Sequence, residues 1–103
     1  MSELTINKKL EGTTLTVYPE GRIDTNTAKS FGDEITASLS EASTLILEFE
    51  KVSYISSSAL RVLLNLNKAM DAKGGELILK KPTDLVYDVF EVTGFNEALR
   101  IER

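Results

Sequence analysis

The first quarter of the chain alternates apolar and polar residues, which is typical of half-buried β-strands. Residues 3–10 follow this pattern, and residues 15–18 resume it after a turn at Glu11-Gly12. Ile23 extends the second strand. Two strands joined by so short a turn pair antiparallel, so the pattern predicts that the chain begins with a β-hairpin.

Three later segments repeat their apolar residues every three or four positions, as amphipathic helices do. They cover residues 26–40, a segment that opens within Ser56–Ser58 and ends at Lys73-Gly74-Gly75, and a segment around 85–90 that ends near Thr93-Gly94. Thr25, Asn26 and Thr27 offer N-cap side chains to the first of these helices.

Apolar runs at 44–49 and 76–79 alternate with the helices and are predicted to be strands. The run at 44–49 is nearly continuous, which favours a central strand covered on both faces. Crossover helices imply that these strands pair in parallel. The predicted order is β-β-α-β-α-β-α, and the tail returns to the core as a short strand or helix. We therefore expect one α/β domain over residues 1–103, with a mixed sheet.

Composition narrows the possible functions. The 103 residues suffice for one core, no apolar run approaches a membrane span, and the N-terminus lacks a signal peptide pattern, so we expect a cytoplasmic protein. The chain has no cysteine and no histidine, which removes thiolate and imidazole chemistry and argues against a metal site. A net charge of −4 argues against nucleic-acid binding.

Three consecutive serines, Ser56-Ser57-Ser58, link the central strand segment to the second predicted helix. Loops after the carboxyl ends of strands often carry sites in α/β sheets, and the positive end of a helix stabilises a phosphate. A serine in this first turn is therefore a good phosphate acceptor. Serine is also a preferred N-cap, so from spacing alone a purely structural role stays open.

Three blocks of sequence then occur in an order typical of one known family. They are Gly21-Arg22-Ile23-Asp24-Thr25-Asn26-Thr27-Ala28, then Ser56-Ser57-Ser58-Ala59-Leu60-Arg61-Val62-Leu63-Leu64, then Gly74-Gly75-Glu76-Leu77 with Val89-Phe90-x-x-Thr93-Gly94-Phe95. With these blocks the chain resembles the STAS domain family, and within it the stand-alone anti-sigma factor antagonists of bacteria. The resemblance covers nearly the whole chain and implies a sheet with helices packed mainly on one face.

The resemblance also implies a function. Family members bind an anti-sigma factor that is also a GHKL-type serine kinase. The kinase phosphorylates the serine that precedes the Gly-Leu of the motif, and a PP2C-type phosphatase removes this phosphate. The matching acceptor is Ser58, because it precedes Ala59-Leu60. Such a protein is not an enzyme and needs no cofactor or metal. The implied partner-binding residues are Asp24, Ser56, Ser57, Ser58, Ala59, Leu60 and Arg61.

The chain departs from the family motif at two positions. Ser56 stands where the family usually has aspartate, and Ala59 where it has glycine. Losing the carboxylate removes a charge beside Ser58. We predict that Ser57 is a cap or a recognition neighbour.

Other hypotheses stay open. One is a STAS scaffold subunit of a lipid-transport ATPase, without a phosphorylation switch. Another is a small nucleotide hydrolase using Asp24 or Asp33, although the chain lacks a P-loop motif and a histidine. Asp24 also fits a local turn or cap.

Overall fold

The computed structural model describes residues 4–103, which form one sheet of six strands, four α-helices and a short 3-10 turn. The elements are β1 (Leu4–Glu11), β2 (Thr14–Ile23), α1 (Ala28–Thr36), the 3-10 turn (Leu39–Glu41), β3 (Thr44–Glu48), β4 (Val52–Ile55), α2 (Ser57–Ala72), β5 (Glu76–Lys80), α3 (Asp84–Thr93), α4 (Phe95–Ala98) and β6 (Arg100–Glu102). The predicted start of the first strand at residue 3 lies outside the described residues.

The sheet is mixed, as the sequence predicts. β1 and β2 pair antiparallel around a tight turn in which Gly12 has a φ of 61°, so the predicted hairpin is confirmed. The order across the sheet is β1-β2-β3-β5-β6, and every pair after the hairpin is parallel. The tail supplies both a helix and a strand, since α4 precedes β6.

One strand was missed by the sequence prediction. Residues 52–55, read as a link between strand and helix, form β4, which pairs in parallel with the last residues of β2. β2 is therefore shared, because Thr14–Val17 pair with β3 and Gly21–Ile23 pair with β4, with a register shift at Gly21/Arg22. As a result α2 starts beside the carboxyl end of β2.

The helices cover one face of the sheet. Two rows of buried side chains cross that face in register: Leu15, Leu45 and Leu77, then Val17, Leu47 and Leu79. Phe31 of α1, Leu63 of α2 and Phe90 of α3 belong to the same core cluster. On the opposite face Thr44, Ile46 and Glu48 are only half-buried, so the prediction that this strand is covered on both faces is wrong. One covered face agrees with the fold that the family resemblance implies.

The first helix is shorter than predicted. It spans Ala28–Thr36 instead of 26–40, because residues 25–27 form a turn before it and the chain tightens into the 3-10 turn after it. Ser38 N–H donates to the Ile35 carbonyl at 2.9 Å, an i→i−3 bond that ends the α-helix. Leu39 still reaches the core, which explains why the apolar spacing continues past the helix end.

Gly75 gives a stability prediction. A Cβ at this position would collide with the Ser43 carbonyl oxygen and would lie 3.0 Å from Met70 Cε. Gly75→Ala is therefore expected to destabilise the fold by about 1–3 kcal/mol, measured by urea unfolding. Gly74→Ala is the matched control: its φ is +76° but nothing lies near its Cβ, so only backbone strain of about 1 kcal/mol is expected. An equal loss for both variants would contradict the steric argument.

Candidate functional site

Ser56 is the N-cap of α2. Its backbone is extended, and its side-chain oxygen accepts a hydrogen bond from the Ala59 amide at 3.2 Å. Its own amide donates to the Ile23 carbonyl at 2.9 Å, which fixes the start of α2 against the end of β2. Ser56 is 9% exposed and caps the helix. Of the two roles predicted for Ser57, the cap is therefore filled by Ser56, and the role of recognition neighbour stays a prediction.

Ser57 and Ser58 occupy the first two positions of α2, with Ser57 exposed and Ser58 half-buried. Within residues 4–103 the Ser58 hydroxyl forms no hydrogen bond, so capping does not use it. The amides at this end precede the first intrahelical bond, from Leu60 N–H to the Ser56 carbonyl at 3.0 Å. The hydroxyl of Ser58 therefore lies at the positive end of a helix of 16 residues.

The division of roles between the serines is testable by stability. Ser56→Ala is expected to lower the free energy of unfolding by about 1 kcal/mol, since it removes the acceptor for the Ala59 amide. Ser57→Ala and Ser58→Ala remove no bond of this kind and should change it by less than about 0.5 kcal/mol. Thermal and urea unfolding of the three variants measure this. A larger loss for Ser57→Ala would show that the cap lies elsewhere.

Asp24 organises the turn that faces this helix end. Its Oδ1 accepts hydrogen bonds from the amides of Asn26 at 2.9 Å and Thr27 at 3.1 Å. The Thr27 hydroxyl donates to the Arg22 carbonyl at 2.9 Å, whereas Thr27 makes no side-chain cap bond to α1. Arg22 Nε lies 3.7 Å from Asp24 Oδ2 and its guanidinium lies 4.4 Å above the Tyr54 ring. The local-turn interpretation of Asp24 is confirmed. Thr27, one of the three predicted N-cap candidates, occupies the N-cap position of α1 but uses its hydroxyl in the turn. The contacts of Arg22 and Tyr54 were not predicted.

A groove runs from this end of the molecule between α1 and α2. It encloses about 400 Å³, with Ser58 and Arg61 on the α2 side and Lys29 and Asp33 on the α1 side. Gly32 allows the two helices to approach, because a Cβ there would lie 2.9 Å from Val62 Cγ1. This groove was not predicted. The sequence signal that could have indicated it is Gly32, a glycine in the middle of α1.

The charges along the groove differ in how they are paired. Lys29 Nζ lies 2.7 Å from Asp33 Oδ2, and the hydrogen bond and charge of Asp33 raise the pKa of Lys29. Arg61 is exposed and has no ion pair within the described part of the chain. It follows Ser58 by three positions, so both lie on the same side of α2. A cation is thus available beside the Ser58 hydroxyl.

Comparison with known proteins decides the family. Residues 5–103 match the model of the STAS domain. The chain belongs to the STAS domain family. The fold and family expected from the three sequence blocks are thereby confirmed.

Related STAS proteins share a regulatory description. The chain is 26% identical over 87 residues to the anti-sigma-B factor antagonist of Listeria monocytogenes, covering 84% of this chain and 76% of that protein. It is 31% identical over 77 residues to BtrV of Bordetella bronchiseptica, which is provisionally described as an anti-sigma factor antagonist, covering 74% and 66%.

Solved structures give the same fold. The anti-sigma factor antagonist SpoIIAA in its unphosphorylated form superposes with a TM-score of 0.83 at 20% identity, covering 96% of this chain and 89% of that one. The phosphorylated form of SpoIIAA, a Bacillus cell fate determinant, superposes with a TM-score of 0.75 at 20% identity, covering 96% and 92%. This likeness extends over nearly the whole STAS domain.

The residues that the STAS motif implied as partner contacts differ in how exposed their side chains are. Ala59 is fully buried and Leu60 is 6% exposed, so both side chains belong to the core. The Ser56 hydroxyl oxygen is used to cap α2. The residues left to offer side chains at the surface are Asp24, Ser57, Ser58 and Arg61.

Two other observations bear on the remaining hypotheses. Asp24 and Asp33, the carboxylates of the hydrolase alternative, are engaged in a turn and in an ion pair. No helix within residues 4–103 combines the length and the apolar character needed to cross a bilayer.

Proposed function

We propose that this STAS domain is an anti-sigma factor antagonist that works as a phosphorylation-controlled switch. Unmodified, it binds an anti-sigma factor that is a GHKL-type serine kinase, and this binding frees the sigma factor. The kinase then phosphorylates Ser58, and the complex dissociates. A PP2C-type phosphatase restores the unmodified state. The chain acts as one domain over residues 1–103, in the cytoplasm, without catalysis or a cofactor of its own.

The observation that carries this proposal is the state of Ser58. Ser56 caps the helix, so the Ser58 hydroxyl is not needed for capping. Ser58 lies half-buried in the first turn of α2. A phosphate at this position is stabilised by the helix dipole and by free amides, and Arg61 adds a cation one turn along. The relatives named above as antagonists, one of them solved with and without phosphate, support the same interpretation.

The switch follows from charge. Phosphorylation places about −1.5 to −2 charges at one end of the groove. A partner seated on Asp24, Ser57, Ser58 and Arg61 in the unmodified state then meets a bulky dianion where a neutral hydroxyl had been. Because this charge loses water on docking and the bound kinase offers no cation to match it, the complex weakens.

The experiment is phosphorylation in vitro. Incubation with a cognate GHKL-type kinase and ATP is expected to add one phosphate, which intact-mass and fragment-ion mass spectrometry place at Ser58. Ser58→Ala is expected to remain unmodified, while Ser57→Ala is modified like the original protein. Modification only at Ser57, or none at all with an active kinase, would contradict the proposal.

A further inference from the structure

The outward side of α3 carries an apolar stripe that the core does not use. Leu85, Val89 and Val92 are spaced i, i+4 and i+7, so they lie along one side of the helix. Leu85 is 58% exposed and Val92 is 87% exposed, whereas Val89 is half-buried against the core. The three line a shallow depression of about 230 Å³ together with Asp88 and Thr93.

The fold does not explain this stripe. Val86 and Phe90 already anchor α3 in the core from the inner side of the helix. Valine is a poorer helix former than lysine or glutamate, so an exposed valine at position 92 does not stabilise α3. Single exposed apolar residues are ordinary, but a contiguous row on a helix indicates a contact surface.

The charges beside the stripe indicate what it contacts. α3 carries Asp84, Asp88 and Glu91 and has no lysine or arginine. Arg103 pairs with Asp84 at 3.0 Å, but Asp88 and Glu91 have no ion pair within residues 4–103. Helical geometry places these acidic residues together along one edge of the stripe. The surface is therefore an apolar row with an unneutralised acidic border.

We propose that the stripe Leu85–Val89–Val92 is a second docking surface, whose occupant is an apolar segment of another protein flanked by lysine or arginine. A second copy of this chain would bring the same acidic border and a net charge of −4. A membrane surface rich in anionic lipid would be repelled for the same reason. A cationic amphipathic segment can pack its apolar side on the stripe and pair its lysine or arginine residues with Asp88 and Glu91.

The surface is held in place before binding. The Thr83 hydroxyl accepts from the Val86 amide at 3.3 Å as the N-cap of α3 and donates to the Val52 carbonyl of β4 at 3.4 Å. At the other end the Thr93 hydroxyl donates to the Val89 carbonyl at 2.7 Å, so it needs no partner from outside. A rigid helix reduces the entropy lost on docking.

The test uses two short helical probe peptides with the same leucine pattern, one with lysine and one with glutamate at the polar positions. In an amide chemical-shift titration of the full chain, the leucine-lysine peptide is expected to perturb residues 84–93, and the leucine-glutamate peptide is not. Leu85→Gln with Val92→Gln is expected to weaken binding by about tenfold or more, because two exposed apolar contacts are lost. Leu10→Gln, an equally apolar and 45% exposed position on β1, is the matched control and should bind as before.

A second pair of variants separates charge from apolar contact. Asp88→Asn with Glu91→Gln is expected to weaken binding severalfold and to reduce its dependence on salt. Ser58→Asp is expected to leave the titration unchanged, so this surface can be judged independently of the phosphorylation switch. Perturbations scattered over other acidic surfaces, binding that survives the loss of Leu85 and Val92, self-association abolished by Val92→Gln, or binding to anionic vesicles would each overturn the proposal.

Discussion

Ser58→Asp is expected to lower the affinity for an anti-sigma factor kinase by roughly 30-fold or more, which corresponds to about 2 kcal/mol. The new carboxylate stands where the proposed partner meets a neutral hydroxyl. On binding it must lose water without gaining a matching cation from the partner. Calorimetry or a pull-down with the purified kinase measures the loss.

The fold itself should tolerate this substitution. A carboxylate in the first turn of a helix interacts favourably with the helix dipole, so the free energy of unfolding is expected to stay the same or to rise by a few tenths of a kcal/mol. Loss of binding in a protein that melts at an unchanged temperature therefore reports on the interface and not on folding.

Two controls make the result specific. Ser58→Ala removes the hydroxyl without adding charge and should retain binding. Ser30→Asp adds the same charge to the first turn of α1, where Ser30 is exposed and does not line the groove, and should also retain binding. Binding that is indifferent to Ser58→Asp would favour the scaffold alternative, in which a STAS subunit docks permanently on an ATPase.

Periodicity predicted the elements in which apolar positions recur several times at a constant spacing. The hairpin, α2 and α3 each have enough apolar positions to define a period, and each occurs where the pattern placed it. β4 was missed because it has four residues, with Val52 and Ile55 buried and the two between them exposed, which is neither helical nor alternating. Its strand identity comes from pairing with β2, a tertiary contact that local spacing cannot reveal.

The candidate site was likewise predicted only in part. The family motif pointed to Ser58, and helix capping rules pointed to a serine at the start of α2, but neither could say which serine caps. That depended on the Ser56 amide bonding to the Ile23 carbonyl, 33 positions away in the chain, which sets where the helix begins. The groove between α1 and α2 needs two helices packed together, so its residues could not be gathered from sequence alone.

Phe49→Ala is expected to cost about 3–5 kcal/mol, the largest stability loss predicted for this chain. Phe49 is fully buried after β3, and its ring meets that of Phe31 on α1 edge-on with centroids 6.4 Å apart. Its amide donates to the Lys80 carbonyl at 2.9 Å, and its carbonyl accepts from the Val52 amide at 3.0 Å. The side chain thus fills the core beside the connection from β3 to β4, where α1 packs on the sheet.

A loss of this size is a large part of the roughly 5–15 kcal/mol by which a domain is typically stable, so Phe49→Ala can leave much of the chain unfolded. Phe49→Leu keeps most of the volume and is expected to cost about 1.5 kcal/mol, which urea unfolding can measure. Tyr18→Ala, which removes a 42% exposed aromatic ring from the open face of β2, is the matched control and should cost less than about 1 kcal/mol. A loss for Phe49→Leu no greater than that for Tyr18→Ala would contradict the placement of Phe49 in the core. Because only the folded chain can bind, Phe49→Ala should also weaken binding to the proposed kinase partner in proportion to the fraction of chain unfolded.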